Sequence, residues 1–292
     1  MRQSNVCIGN MVLKQCKIVC KLLIGLSWGT IFLLAGCLNK NENTLNPGDH
    51  VLAIESADIL YKQALANLNA GRFEEAVKKF SAIEKTYAYT EWGRKALIKG
   101  ASVNHQLAKY DDAINMAQRY ITLYPTSDDS DYAYYIIGLS SFKQIPDVTR
   151  DQKDTKRAIA AMQLLVERYP GSKYVKDAKA KIHFAREQLA GKEMQIGRYY
   201  ERGRQYLAAS KRFRKVIEEY SDTNQVEEAL FRLTEVNLAL GLIREAQTAV
   251  SILKRNYPAS QWYKLAYNLL QKSSILPQEH KSSWISNAFS NN

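Results

Sequence analysis

Side chains able to carry chemistry are unevenly placed along the 292 residues. All four cysteines, Cys7, Cys16, Cys20 and Cys37, fall within the first 37 positions. The rest of the chain therefore offers no intrachain disulfide, no cysteine-ligated zinc and no thiol nucleophile. The histidines His50, His105, His183 and His280 are read as having no second ligand at i,i+4, and no His-Glu-x-x-His occurs, so no metal site is expected. Gly-x-x-x-x-Gly-Lys-Ser/Thr, Gly-x-Gly-x-x-Gly and Gly-x-Ser-x-Gly are all missing, which removes the commonest phosphate cradles and the serine elbow. Asp128-Asp129-Ser130-Asp131 is rich in oxygen ligands but lacks the rest of a calcium loop, and is read as a helix N-cap. The expectation is a protein with no catalytic residues, no cofactor and no metal.

One cysteine does promise chemistry. Residues 1–36 carry Arg2, Lys14, Lys17 and Lys21 and no acid; an apolar run from Leu22 to Gly36 follows, then Cys37. A positive start and a short apolar run make a secretory signal, too short for the ~20 residues that span a bilayer. Leu34-Ala35-Gly36-Cys37 resembles the bacterial lipobox, where small residues admit the peptidase and the thiol takes a diacylglyceryl group. Cys37 is thus the expected lipidation site and first mature residue. Several acyl chains on it would hold the protein on a membrane without crossing it, since each buried CH₂ contributes about 0.8 kcal/mol and a single chain binds reversibly. With Leu38 rather than Asp next, lipobox rules imply outer-membrane sorting, facing the periplasm. Residues 37–52, polar with Pro47-Gly48, read as a tether.

The elements beyond must be mostly helical. With 46% hydrophobic residues but only 14 Gly and 6 Pro, the composition suits a globular helical body and excludes collagenous or wholly disordered chains. A repeat is countable. Ala76, Ala113, Ala158, Ala209 and Ala246 are each followed eleven residues later by a tyrosine, Tyr87, Tyr124, Tyr169, Tyr220 and Tyr257, and in three cases proline comes next. Apolar positions at −3, +4 and +7 from each alanine complete one stripe on a 3.6-residue helix, with Thr155 the exception at −3. Before each such helix lies another amphipathic stretch, at 56–70, 90–107, 128–143, 173–203 and 224–240. The anchors are spaced by 37, 45, 51 and 37 residues, near the ~34-residue tetratricopeptide period. A pair cannot bury its apolar face alone, so neighbours must stack. The expected fold is all-α: a right-handed α-solenoid of about five tetratricopeptide-like pairs over 53–272, with Trp262–Gln271 as capping helix and a polar, loose tail at 273–292.

Charge is concentrated. The whole chain is +12; the leader supplies four of those charges, leaving +8 on the mature chain. Residues 176–215 hold twelve cations and four acids, Asp177, Glu187, Glu193 and Glu201, which accounts for the same +8. A solvated helix face would explain this, as would a docking surface for an acidic partner or anionic lipid headgroups. Nucleic acid is not expected, because a secreted lipoprotein does not meet it.

The lipobox, tether and five repeats, together with Gly71-Arg-Phe-Glu-Glu-Ala76, Arg168-Tyr-Pro-Gly-Ser-Lys-Tyr174 and Tyr199-Tyr-Glu-Arg-Gly-Arg-Gln-Tyr206, resemble the ComL/BamD lipoprotein family of the outer-membrane β-barrel assembly (BAM) machinery. The resemblance covers roughly residues 25–272. Departures are the missing proline after Tyr87 and Tyr220 and a shorter third-repeat loop. It implies a non-catalytic scaffold whose C-terminal repeats hold a POTRA domain of BamA, with Arg212, helped by Arg202, Lys211 and Arg198, pairing with carboxylates. It also implies contacts with other BAM lipoproteins, and a groove on the first three pairs that receives the aromatic-ended signal of unfolded outer-membrane proteins. Tyr61, Leu68, Trp92, Tyr132, Tyr135 and Leu139 are the candidate groove residues, though aromatics at helical spacing are more often core. The alternative is a periplasmic tetratricopeptide lipoprotein organising cell-wall synthesis; no coiled coil or peptidoglycan-binding segment supports it.

Overall fold

The structure, a computed structural model, describes residues 55–290. The signal, Cys37 and the tether lie outside the described residues. Twelve helices follow: α1 Ala57–Asn69, α2 Phe73–Thr86, α3 Glu91–Gln106, α4 Tyr110–Leu123, α5 Ser130–Lys143, α6 Lys153–Arg168, α7 Val175–Arg202, α8 Tyr206–Glu219, α9 Gln225–Ala239, α10 Ile243–Asn256, α11 Gln261–Lys272 and α12 Trp284–Ala288. Each packs on the next from α1 to α11, and the first helices of adjacent pairs touch side by side, α1 with α3, α3 with α5, α5 with α7, α7 with α9 and α9 with α11. This is the all-α solenoid that the repeat demands, because an amphipathic helix can bury its stripe only against neighbours.

The stripe is the core. Ala76, Ala113, Ala209 and Ala246 are fully buried and Ala158 nearly so; so are the +7 residues Ile83, Tyr120, Leu165, Val216 and Leu253. The −3 position is different. Phe73 and Ile243 are exposed, while Thr155, the odd residue in sequence, is fully buried and donates to Gln152 at 2.7 Å. Position −3 opens the second helix beside its turn, where the packing surface has run out.

Two local devices set the pair geometry. Within pairs one, two, four and five, the helix-ending turn repeats one hydrogen-bond pattern: Arg72 to Asn67 O with Gly71 to Leu68 O, Lys109 to Asn104 O with Ala108 to His105 O, Gln205 to Tyr200 O with Arg204 to Glu201 O, and Leu242 to Asn237 O with Gly241 to Leu238 O. These 6→1 and 5→2 bonds form a Schellman cap, whose penultimate residue is left-handed. Gly71 and Gly241 adopt φ +73 there freely, whereas Ala108 and Arg204 adopt φ 58 and 56 against a steric cost. Between pairs, the tyrosine ends the helix as its C-cap: Tyr87, Tyr124, Tyr169, Tyr220 and Tyr257. In the first half its hydroxyl also reaches the preceding junction, Tyr87 to Glu55 O, Tyr124 to Ala88 O and Tyr169 to Pro125 O. The tyrosine both stops a helix and ties successive repeats.

Two expectations need correction, and one helix has a double role. Asp129 occupies the N-cap of α5 but accepts no capping hydrogen bond; it faces Arg94 at 3.2 Å instead, while Asp131 accepts from Ser172 at 2.6 Å, so this acidic run ties adjacent repeats. The 28-residue α7 serves two repeats: Ala178 and Ile182 join the cluster of Met162 and Leu165 on α6, and Leu189, Ala190 and Met194 join the cluster of α8 and α9, with Lys192 reaching the Arg150 carbonyl at 2.5 Å. Finally, the loose tail read into 273–292 is, through Ser290, a folded strap. Ile285 is fully buried, Trp284 and Phe289 pack on the last core cluster, and Glu279 accepts from Arg255 at 2.6 Å and from Ser286 at 2.7 Å. The cap is therefore bipartite: α11 covers α9 and α12 covers α10. Isolated aromatics in a polar sequence hid it.

Candidate binding surfaces

Among the described residues, no three His, Cys, Asp or Glu side chains group as metal ligands, and no helix is long and apolar enough to cross a membrane. His183 does have a neighbour at i,i+4, contrary to the sequence reading. Its Nε2 lies 3.8 Å from Glu187 and its Nδ1 4.0 Å from Asp222. Both acids are otherwise engaged, Glu187 by the Asn224 amide and Asp222 by Arg186, so the cluster joins α7 to the junction before α9.

The candidate groove residues divide. Tyr61 is core, 8% exposed, packed edge-on to Phe80 with ring centres 5.7 Å apart and tilted against Trp92 at 5.2 Å. Leu68 packs on the same cluster. Trp92 is half-buried beneath Lys95, whose Nζ sits 5.1 Å from the ring centre, a cation–π contact. Tyr132 and Tyr135 both stack on Tyr174, at 5.3 and 4.5 Å, and Leu139 is part-buried beside them. Tyr135 donates to Asp177 at 2.7 Å; burial first, then this bond, push its phenol pKa up. Asp177 also takes Lys181 at 2.6 Å. The first helices thus present a half-buried aromatic surface over α3, α5 and the start of α7, with lysines at its margin. Tyr174 is the member the sequence reading missed; it sits in a junction, off the helical stripe, where periodicity cannot find it. An open cavity of about 460 Å³ beside Ala88, Tyr89 and α4 residues including Arg119 includes none of the candidate groove residues.

The basic segment is less bare than its composition suggests. Arg212 donates to Glu193 at 2.9 Å and Lys215 to the same carboxylate at 2.8 Å. Arg198 spans both oxygens of Glu228 at 3.0 Å, and Arg186 grips Asp222 at 2.6–2.9 Å. Arg214 pairs with Glu218 at 2.7 Å and lies 4.5 Å from the Trp284 ring centre. The four candidate partner residues are consequently not one patch: Arg198 faces α9, Arg212 faces α7, and Arg202 and Lys211 are exposed. Arg202 and Arg204 end the α7–α8 turn beside exposed Tyr199 and Leu207, and the next turn along exposes Leu240, Leu242 and Ile243 with Arg244. Two successive turns of the last repeats therefore present apolar side chains rimmed by cations, a composition typical of interface patches.

Residues 54–253 match the family described as outer membrane lipoprotein, YfiO. The outer membrane protein assembly factor BamD of Caulobacter vibrioides is 39% identical over 245 residues, 84% of this chain and 79% of that protein. BamD of Rickettsia prowazekii is 34% identical over 250 residues, covering 86% of this chain and 94% of the relative, and that of Neisseria meningitidis serogroup A is 29% identical over 257 residues, with 85% and 95% covered. Among solved structures, the crystal structure of MamA protein matches with a TM-score of 0.33 at 17% identity, over 75% of this chain and 93% of that one, too distant to add to the fold seen directly. The family match runs through all five helix pairs, and on it the chain belongs to the YfiO family of outer membrane lipoproteins.

Proposed function

We propose that this chain is an outer membrane protein assembly factor that works as a non-catalytic scaffold, held by acyl chains on Cys37 at the periplasmic face of the outer membrane. The observation that carries the reading is the resemblance to BamD relatives along 79–95% of their own lengths. The rest follows from where binding surfaces lie. The cation-rimmed turns of the last two pairs, where Arg202 is exposed, suit the carboxylates of a BamA POTRA domain, with Lys211 exposed separately on α8 and Arg212 and Arg198 contributing only what Glu193 and Glu228 leave free. The aromatic face around Trp92, Tyr132, Tyr135 and Leu139 suits the aromatic-ended C-terminal segment of an unfolded barrel protein, the tetratricopeptide mode of taking peptides. Tyr61 and Leu68 support that face from beneath.

Affinity purification from detergent-solubilised envelopes tests the scaffold. The expected result is recovery of a BamA-type barrel protein, with other BAM lipoproteins, and of acyl label on the bait that Cys37→Ser abolishes. Recovery of cell-wall synthases in place of BamA would overturn the assignment. A fluorescent peptide ending in phenylalanine with a free carboxylate should bind saturably and lose affinity in Tyr135→Ala; non-saturable binding would remove the groove.

A further inference from the structure

The aromatic face carries a charge that its own helices leave unanswered. On α3, Trp92, Lys95, Lys99 and Ser102 follow one another by three or four residues and so share one side of the helix. Lys95 is committed: its ammonium lies 2.6 Å from Glu91 and 5.1 Å from the Trp92 ring centre. Ser102 lies 2.9 Å from the Tyr132 hydroxyl, which ties that ring of α5 to this side of α3. Lys99, between them, is exposed. The residues three and four positions away are Lys95, Ala96, Ser102 and Val103, so no acid on neighbouring turns of its own helix pairs with it.

The helices alongside offer none either. The acid of α1, Asp58, is held by Lys62 at 2.8 Å. The acid of α5, Asp131, accepts from Ser172 at 2.6 Å in the junction before α7. Asp129 takes Arg94 at 3.2 Å, and Asp177 takes Lys181 at 2.6 Å. Among the described residues, Lys99 is therefore a surplus positive charge within the aromatic face. Lys143, another cation of these helices without a carboxylate, ends α5 well past Tyr132, a rise of about 16 Å.

We infer that this face, taken as the peptide surface proposed above, is built for the free carboxyl end of a chain rather than for an internal segment, and that Lys99 makes the choice. The last side chain, an aromatic one, lies against Tyr132 and Trp92. The terminal carboxylate beside it meets the Lys99 ammonium, one helical turn from the serine that holds Tyr132. Charge complementarity selects this occupant. A chain that runs on past its aromatic residue would cover the ammonium and bring no charge to replace the water lost, whereas a terminal carboxylate supplies a charge-assisted hydrogen bond.

The probes are two acetylated heptapeptides, Gly-Ser-Val-Ser-Val-Ser-Phe, one ending in a free carboxylate and the other in a carboxamide, titrated calorimetrically into the whole mature protein. The free acid should bind about tenfold more tightly than the amide, the size expected of one charge-assisted hydrogen bond. Lys99→Gln should bring the acid down to the amide's affinity and leave the amide unchanged, while Lys99→Arg should restore the preference. Lys85→Gln, which removes an equal charge from exposed α2 outside the face, should keep it. All three positions are exposed, so melting temperatures should stay near the parent's. Equal binding of the two peptides by the parent, or a preference that survives Lys99→Gln, would overturn the assignment of Lys99 and leave the peptide surface standing. Saturable binding of neither peptide would overturn both.

Discussion

Arg212, on α8, donates to the buried carboxylate of Glu193, on α7, at 2.9 Å, and Lys215 one turn later takes the other oxygen at 2.8 Å. Glu193 is only 8% exposed. Burial pulls its carboxyl up, but the hydrogen bonds from Lys215 and Arg212 outweigh that and hold it below the ordinary carboxylate range. Because the folded-state pKa is depressed, this contribution to stability is present above the ordinary value and is lost as pH falls through the folded one. The arginine that the family resemblance assigns to a partner is thus also a tie across the middle of the solenoid.

Arg212→Ala should therefore cost about 1–3 kcal/mol, the penalty for leaving a buried carboxylate half-satisfied, and Arg212→Lys noticeably less. Urea unfolding run beside partner recovery separates the two roles. Loss of recovery in Arg212→Lys with stability kept would mark a direct contact. Loss only in proportion to stability would mark a tie alone.

How much of this was legible beforehand divides by physical cause. The five alanine-to-tyrosine spacings gave the helix pairs because close packing tolerates only small or apolar residues every three to four positions, and Ala209, Phe213 and Val216 are indeed fully buried. Pairing of charges was not legible: a count of cations in 176–215 cannot reveal that Glu193 takes two of them or that Arg198 reaches thirty residues on to Glu228. Tyr174 and Trp284 were missed for a related reason. Each packs from a junction or a short terminal turn, where no periodicity marks a buried face.

The strap yields a test at Ile285. It is fully buried against the last core cluster, so Ile285→Ala should lower stability by about 2–4 kcal/mol. Chemical denaturation measures it. A change within ~0.5 kcal/mol, ordinary for a surface site, would mean that residues 273–290 do not hold the position described.

Gly197 lies where α7 crosses α8. A Cβ there would fall inside the van der Waals surface of the Phe213 ring, a fully buried side chain. Gly197→Ala gains helix propensity of about 1 kcal/mol but overpacks the contact by about 1–3 kcal/mol. The net expectation is destabilisation. A paired Phe213→Leu should relieve part of it in a double-mutant cycle, and additivity of the two changes would contradict the contact.

Glu201 has the opposite sign from Glu193. Its folded-state pKa is raised to about 7 by burial and by Glu235, from an ordinary 4.5. Below the ordinary value both folded and unfolded chains keep the proton, and it contributes nothing. Between the two values only the folded chain holds it, so stability falls as pH rises, and above about 7 the full penalty applies. Glu201→Gln removes the titration while Arg232 keeps Glu228 and Glu235 as partners. The variant should match the parent near pH 4.5 and exceed it above pH 7.5. The gain should be about 1–2 kcal/mol once the shift is discounted for the solvent that screens a half-buried group. Denaturant midpoints at pH 5, 6, 7 and 8 provide the measurement. If the difference between variant and parent stays flat across that range, Glu201 ionises normally and the network between α7 and α9 carries no stored proton.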